Sequence, residues 1–343
     1  MNLISVMKDE SDRKPITRTK KMYGLIAAVL LISLLGAAPT VLNPYYITVL
    51  IPFFAYAIAL LGFNLLFGYG GLLSFGHALF LALGAYTSAA LHLITGVTSI
   101  ELMLMTSIFT ALVVSIPIAW LASRYTGIFF GMLTLSFGML FYSFLNKFYN
   151  ITGGEGGMLV PRPTLLGSEF DALDQVSFLT GPFYYYCLAL LIIFSWLMYR
   201  IVRSAFCANL MAARDHEVKA SYLGVRARAV RAIAFVISAV YGAVAGVILG
   251  VNTGLADPEM AYWTQSGYLV FMTVLGGYKE LFGPVIGAFS FVMLQDELSS
   301  ITQYWRFFLG LILIVLVLKV PGGIGSGIRR LMNKKSYRAR KEQ

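Results

Sequence analysis

Long apolar runs that carry almost no charged residues dominate this sequence and limit what it can fold into. A stretch of about 20 such residues can cross a bilayer as a helix. Of the 343 residues, 58% are hydrophobic and 12% are charged, whereas soluble domains carry about 25% charged residues. We predict an all-α integral membrane protein with about ten transmembrane helices, or eight if 263–277 and one neighbour are re-entrant. The candidate spans are 22–42, 46–67, 71–95, 100–122, 126–146, 183–200, 232–254, 263–277, 281–297 and 304–320.

Basic residues lie almost entirely on one side of these spans. All of the 26 lysines and arginines except Lys147, Arg162 and Arg306 fall on the same side if the chain crosses at every span. Because cytoplasmic segments carry the excess of Lys and Arg, we predict that both termini are cytoplasmic. The same rule accounts for the formal charge of +10 without nucleic acid as a partner. The predicted segments are a basic stretch 1–21, a membrane domain 22–320 with an external loop 147–182 and a cytoplasmic loop 200–231, and a basic tail 321–343.

The sequence lacks the residue patterns that catalysis requires. Asp, Glu, Lys and Arg occur only near span ends, whereas proton-driven carriers need ionisable groups at membrane depth. There is no HExxH helix, no phosphate-binding loop and no nucleophile elbow. We therefore predict no catalytic residue, no cofactor and no metal site. An uncharged pathway suits a small neutral or zwitterionic solute, with energy supplied by another subunit.

A glycine-rich stretch that ends at His77 is a candidate for the pathway or a gate. Gly70 and Gly71 indicate either a broken or re-entrant helix, or an ordinary tight turn on the cytoplasmic side. His77 either lines the path or is a buried neutral imidazole with a hydrogen-bond partner.

Small residues recur every four positions in the span 232–254. This spacing places them on one helix face and lets a neighbouring helix approach closely, although a pore-lining face is the alternative. We expect a bulky side chain at Gly246 to hinder assembly. The small residues are Ser238, Gly242, Gly246, Gly250 and Gly254.

The cytoplasmic loop predicts a short amphipathic helix over 206–223. Asp215 and Lys219 would form an i,i+4 ion pair on it, and Gly224 would cap its end. Such a helix either rests on the membrane lipid, where its arginines meet anionic headgroups, or docks onto a cytoplasmic partner.

A set of short stretches, in order along the chain, is the most specific pattern in the sequence. The stretches are Leu65–Ala78, Leu133–Phe137, Thr152–Gly154, Pro161–Thr164, Ala213–Glu217, Leu223–Gly224, Ala234–Ser238, Leu275–Gly277, Phe282–Pro284 and Val320–Gly323. Together they resemble the permeases of ATP-binding-cassette importers for branched-chain amino acids, specifically the longer of the two paired permease types. The first 45 residues and the basic tail fall outside the resemblance.

The resemblance implies a type II importer permease bundle in a bacterial inner membrane that forms half of a translocation pathway. It implies a homologous second permease subunit, two cytoplasmic ATPases that hydrolyse the ATP, and an external (periplasmic) solute-binding protein. The solute would be a branched-chain or other hydrophobic amino acid. Related permeases import urea and short amides, and a self-contained channel for a small neutral solute is the alternative from another class.

The resemblance also assigns roles to particular residues. It makes 209–224 the coupling helix that such permeases insert into a groove of the ATPase. Since this site lies outside the bilayer, we expect charge reversal at Glu217 to disturb the contact without unfolding the spans. The predicted coupling residues are Arg214, Asp215, Glu217, Ala220 and Gly224.

Two positions depart from the pattern of these permeases. Lys219 stands where a small residue is usual, and Glu155–Met158 replaces the usual continuation after Thr152–Gly154. Gly153 and Gly154 are therefore candidates for an outer gate or for the contact with the binding protein.

Overall fold

The computed structural model describes residues 33, 35–40, 42–168, 173–319 and 323–324. The chain separates into two compact units, Met1–Pro44 and Tyr45–Gln343. In the first unit, residues 35–40 are helical. The second unit contains the elements discussed below, and its first helix begins at the boundary residue, Pro44.

The second unit is mostly helical, with one two-stranded sheet of two residues per strand. Its long helices are α1 (Pro44–Asn64), α2 (Ala78–Thr95), α3 (Ile100–Ala122), α4 (Gly127–Lys147), α7 (Tyr184–Val202) and α10 (Ala227–Thr253). The shorter ones are α5 (Tyr149–Thr152), α6 (Gln175–Phe178), α8 (Ala205–Asp215), α9 (Glu217–Tyr222), α11 (Trp263–Gly276), α12 (Gly283–Ile301) and α13 (Trp305–Lys319). The strands are β1 (Met158–Leu159) and β2 (Leu255–Ala256), and single turns of 3₁₀ helix cover Gly154–Gly156 and Pro258–Ala261. Turns of π-helix extend α1 over Leu65–Tyr69 and join α6 to α7 over Leu179–Phe183.

Six helices in the described residues are long and apolar enough to cross a membrane. They correspond to the predicted spans from 46–67 to 232–254, so a multi-pass membrane protein is confirmed while the count of ten is not. The predicted span 22–42 lies largely outside the described residues. Helix α11 has 14 residues, too few for a full span, and α12 carries Asp296 and Glu297 near its end.

The predicted span 71–95 begins as a helix only at Ala78. Residues 71–77 are irregular, because Gly71 adopts φ +68° and the chain then runs without helical hydrogen bonds. Gly76 packs against the Thr134 carbonyl of α4, seven residues past the start of that helix and therefore about 10 Å along it. The broken-helix interpretation thus fits better than a simple turn. Irregular backbone at this depth is tolerated where protein covers it, as it does here.

Helices α2 and α10 approach so closely that their backbones touch. A Cβ atom at Gly246 would collide with the Leu81 carbonyl, and one at Gly84 would collide with the Ala243 carbonyl. A Cβ at Gly242 would lie 3.0 Å from the Cβ of Phe80. Together with α1, these two helices form the buried centre, whereas α3, α4 and α7 are much less buried.

Gly254 does not share in this contact, although its spacing placed it on the same face. It follows the end of α10 with φ +69°, and the space around it is open. The helix ends there because the left-handed conformation that glycine adopts stops the helical hydrogen-bond pattern.

The connecting segments gather at the two ends of the bundle. At one end, β1 pairs antiparallel with β2, and the Ile100 backbone donates a hydrogen bond to Thr164. At the other end, Arg228 at the start of α10 donates to the carbonyl of Trp120 near the end of α3. This second end also holds α8 and α9. The charge bias predicts that it is cytoplasmic, and we call it the basic end.

Replacing Gly246 with alanine should weaken the contact between α2 and α10, because the added methyl group meets the Leu81 carbonyl. Overpacking of this kind costs about 1–3 kcal/mol. We expect a lower melting temperature and a lower yield in detergent. Gly267→Ala on α11 is the matched control, since no atom lies within 4 Å of its added Cβ. Equal melting temperatures for the two variants would show that the close contact is dispensable.

Single cysteines that replace Glu155 and Lys219 should react with a membrane-impermeant thiol reagent from opposite sides. Both residues are exposed. The native Cys187 and Cys207 are buried, and burial raises the pKa of the Cys207 thiol to about 11, so that thiol reacts slowly at neutral pH. Labelling of both positions from one side contradicts the predicted topology.

Candidate coupling site

The segment between α7 and α10 forms two helices rather than the single helix expected over 206–223. α8 ends at Asp215, His216 adopts an extended conformation with φ −151°, and α9 begins at Glu217. The expected ion pair between Asp215 and Lys219 is wrong, because the bend separates the two residues. Asp215 instead accepts a 2.8 Å hydrogen bond from Arg214.

The bend lets Glu217 neutralise a buried arginine. The Arg231 guanidinium of α10, whose side chain is 7% exposed, donates to both carboxylate oxygens of Glu217 at 3.2 and 2.7 Å. It also donates to the carbonyl of Ala213 at 3.4 Å. A charge buried to this degree needs a partner of opposite sign, and two parallel hydrogen bonds are the strong geometry for an arginine. This ion pair fixes α9 to α10.

Arg214 fixes α8 to the glycine-rich segment. Its Nη1 donates a 2.8 Å hydrogen bond to the Gly68 carbonyl. The stem of the same side chain lies against Gly71, where a Cβ would stand 2.7 Å from the arginine Cγ. Leu210 of α8 packs near Gly70. Gly71 therefore leaves room for the arginine side chain. Through this side chain, α8 is joined directly to the end of α1.

The outer surface of α9 and its C-terminal end carries large apolar side chains although it lies beyond the spans. Val218, Tyr222 and Leu223 are 65, 85 and 84% exposed, whereas Ala220 is buried against the protein. Gly224 follows with φ +84° and turns the chain towards α10. Three large apolar side chains on a short helix, with no cover in the described residues, form a surface suited to a protein partner.

His77 lies at the other end of the glycine-rich segment and is completely buried. Its Nε2 lies 2.7 Å from the Ser238 hydroxyl of α10, and its Nδ1 lies 3.4 Å from the hydroxyl of Ser74. The rings of Phe63, Phe80 and Phe235 surround the imidazole. Within the described chain, His77 joins the segment to α10 and does not face an open path.

Gly153 and Gly154 lie at the opposite end of the bundle from α8 and α9. Both have positive φ, +75° and +59°, and Gly154 is buried against the ring of Tyr149. The segment continues into β1, so it is ordered and packed. The positive φ angles of Gly153 and Gly154 let the chain turn sharply between α5 and β1.

The part of the chain that the structure describes contains no group of three His, Cys, Asp or Glu side chains that could hold a metal ion. Four of the charged side chains at the candidate coupling site form the two ion pairs described above, and Lys219 is exposed. The arrangement is suited to binding and positioning protein segments.

Apolar spans around a closely packed centre, together with an ordered segment at the basic end, define a multi-pass membrane protein of the transporter type. The family described as "Branched-chain amino acid transport system / permease component" matches residues 45–317. The match covers more than half of the chain, and the chain belongs to this family.

Individual relatives agree with this assignment. The chain is 28% identical over 312 residues to the high-affinity branched-chain amino acid transport system permease protein LivM of Salmonella typhimurium. The matched stretch covers 84% of this chain and 72% of the relative. The chain is 27% identical over the same length to LivM of Escherichia coli K12. It is 26% identical over 285 residues to the permease protein LivH of Salmonella typhimurium, covering 78% of this chain and 90% of the relative. No solved structure matches the chain.

Sequence reasoning missed Arg231 as a member of the site. The signal was present, because Arg231 stands seven residues before Ser238 and therefore two helical turns along the same buried face. A charged residue on a buried face requires a nearby partner, which is Glu217. The identity of that partner could not be read from the spacing, since it belongs to another helix.

The ion pair changes what charge reversal at Glu217 should do. Glu217→Arg would place a second positive charge beside buried Arg231, so we expect a lower melting temperature in detergent rather than an effect on partner binding alone. Glu217 is half exposed, and the loss should be smaller than the about 3–5 kcal/mol of a fully buried pair. Adding Arg231→Glu should restore part of the stability.

Asp215→Arg provides the control for this experiment. It breaks the exposed pair with Arg214, and exposed pairs contribute about 0–1 kcal/mol. A Glu217→Arg variant that melts at the same temperature as Asp215→Arg would contradict a structural role for the Glu217–Arg231 pair.

Proposed function

We propose that this chain is the permease subunit of an ATP-driven importer of the bacterial inner membrane, specific for branched-chain or other hydrophobic amino acids. It forms half of the translocation pathway and pairs with a homologous permease subunit. Two cytoplasmic ATPases hydrolyse the ATP, and an external binding protein delivers the solute. The family assignment and the names of the LivM and LivH relatives support this proposal.

The observation that carries the proposal is the exposed apolar surface of α9, a helix that the Glu217–Arg231 ion pair fixes to α10. Val218, Tyr222 and Leu223 project into the space beyond the spans, where water would surround them in an isolated chain. Large apolar and aromatic side chains in such a position are typical anchors of a protein interface. The corresponding segment of the resembling permeases contacts the ATPase, and we assign the same role to α9.

Two anchors transmit force from α9 and α8 to the membrane domain. The Glu217–Arg231 pair joins α9 to α10, and the hydrogen bond from Arg214 to Gly68 joins α8 to the end of α1. A movement of the ATPases would therefore reach Gly70 and Gly71, which we propose as part of the gate at the basic end.

The outer gate is proposed at the opposite end of the bundle. Gly153 and Gly154 stand there beside the β1–β2 pair, in the loop that departs from the usual pattern of these permeases. His77 acts in the proposal as a positioning residue, since its bond to Ser238 holds the glycine-rich segment against α10.

The buried polar groups of the described spans fit a solute without net charge. Asn64, Ser238 and the other buried Ser and Thr side chains carry no charge. The charged Arg231 is buried only at the basic end of α10 and is neutralised there. The absence of an unneutralised charge among these buried groups supports a solute without net charge.

Tyr222→Asp should abolish energy coupling without affecting insertion. The change puts a charge at the centre of the apolar surface of α9, and an unpaired charge in an interface costs several kcal/mol. We expect normal amounts of chain in the membrane, loss of the ATPases on purification and loss of ATP-dependent leucine uptake into proteoliposomes.

Tyr304→Asp is the matched control, because Tyr304 is 75% exposed and lies on the predicted external side. This variant should keep the ATPases. Co-purification of the ATPases with Tyr222→Asp would contradict the docking role of α9. Uptake of urea instead of leucine by the unchanged complex would reject the proposed solute, and conduction by the chain alone would favour a channel.

A further inference from the structure

A groove of about 1020 Å³ opens at the basic end of the bundle, between α3, α9 and the beginning of α10. Most of the side chains along its length are apolar and include Ile116, Ile233 and Ile237. Trp120 lies within it and is 59% exposed. The groove is therefore open to the outside, mainly apolar, and bordered by an aromatic residue at one end.

Three arginines stand at this end of the groove. Arg124 lies over the Trp120 ring at 4.1 Å, and Arg228 lies over the same ring at 5.5 Å. Arg226 lines the groove, and Arg124, Arg226 and Arg228 are all exposed. The carboxylate of Glu217 also lines it but is neutralised by Arg231. The mouth of the groove therefore carries a net positive charge.

The groove continues an exposed apolar row that runs the length of α3. Leu102, Met105, Phe109, Val113, Ile116 and Trp120 are spaced three or four residues apart and are all exposed. A row of this kind on a transmembrane helix faces lipid chains. Tryptophan followed by arginine is the usual arrangement at the level of the lipid headgroups.

We propose that this groove is a binding site for one anionic phospholipid of the cytoplasmic leaflet. The acyl chains lie along Ile116, Ile233 and Ile237, and the headgroup phosphate lies between Arg124 and Arg228 above Trp120. Charge complementarity selects an anionic headgroup over a zwitterionic one, because the positive choline group of phosphatidylcholine offsets its phosphate and is repelled by the arginines. The site lies beside α9, so the bound lipid would also contact the coupling segment through Ser221 and Gly224.

The site can be tested on the full chain in its assembled complex by native mass spectrometry. Phosphatidylglycerol or phosphatidylcholine of the same acyl chains is titrated in, and the affinity for the first bound lipid is measured. We expect tighter binding of phosphatidylglycerol. Arg124→Gln with Arg228→Gln should weaken it on the order of 30-fold, since each basic side chain near a phospholipid contributes roughly fivefold.

Arg200→Gln with Arg203→Gln is the matched control. These two arginines also stack on aromatic rings at the basic end, Trp196 and Tyr199, but do not line the groove. This double variant should leave the affinity for the first phosphatidylglycerol unchanged. Equal losses in both double variants would overturn the proposal, since they indicate diffuse attraction to a basic surface.

A second pair of variants tests the apolar part of the site. Ile233→Trp should fill the groove and lower the affinity for phosphatidylglycerol, whereas Ile193→Trp on the similarly exposed face of α7 should not. Unchanged binding in Ile233→Trp overturns the proposal. So does loss of ATPase or permease subunits from the Arg124→Gln, Arg228→Gln complex with lipid affinity intact, because the groove would then belong to a protein partner.

Discussion

The direct contact between the backbones of α2 and α10 is the constraint on which the rest of the structure depends. In a bilayer there is little hydrophobic gain from bringing two apolar helices together, so close packing has to supply the association. Gly84 and Gly246 remove the side chains that would keep the backbones apart. Next to this close contact, Ser238 of α10 lies within hydrogen-bond distance of His77.

Helix α10 links the three functional parts of the chain. Its first turns carry Arg231, which holds α9, and its middle carries Ser238, which holds the glycine-rich segment. Its glycines then pack against α2, and β2, which follows its end, pairs with β1. A substitution anywhere along this helix therefore affects contacts that are far apart in the sequence. The buried polar groups of α10 are each satisfied by a different element, which explains how α10 tolerates them.

Six of the spans and the presence of a helical segment between α7 and α10 could be predicted from the sequence, because hydropathy and short motifs are local properties. The start of α2 at Ala78 could not, since Gly70 and Gly71 allowed either a broken helix or a tight turn. The bend at His216 could not either, because it depends on Arg231 in another helix. The hydropathy of a segment indicates whether it lies in the membrane or in water. The position of a break in a helix depends instead on contacts with residues that are distant in the sequence.

The length of α10 has a mechanical consequence. It runs 27 residues without a break, about 40 Å, from the basic end to Gly254 at the other. Its tightest contact, at Gly246, lies off the midpoint, since 19 residues separate it from the first residue of the helix and 7 from the last. A tilt of this rod about Gly246 as a fulcrum would swing its two ends in opposite directions, with the longer stroke beside α9. A displacement beside α9 would thereby reach the opposite end of the bundle through one rigid element, with no relay of separate steps.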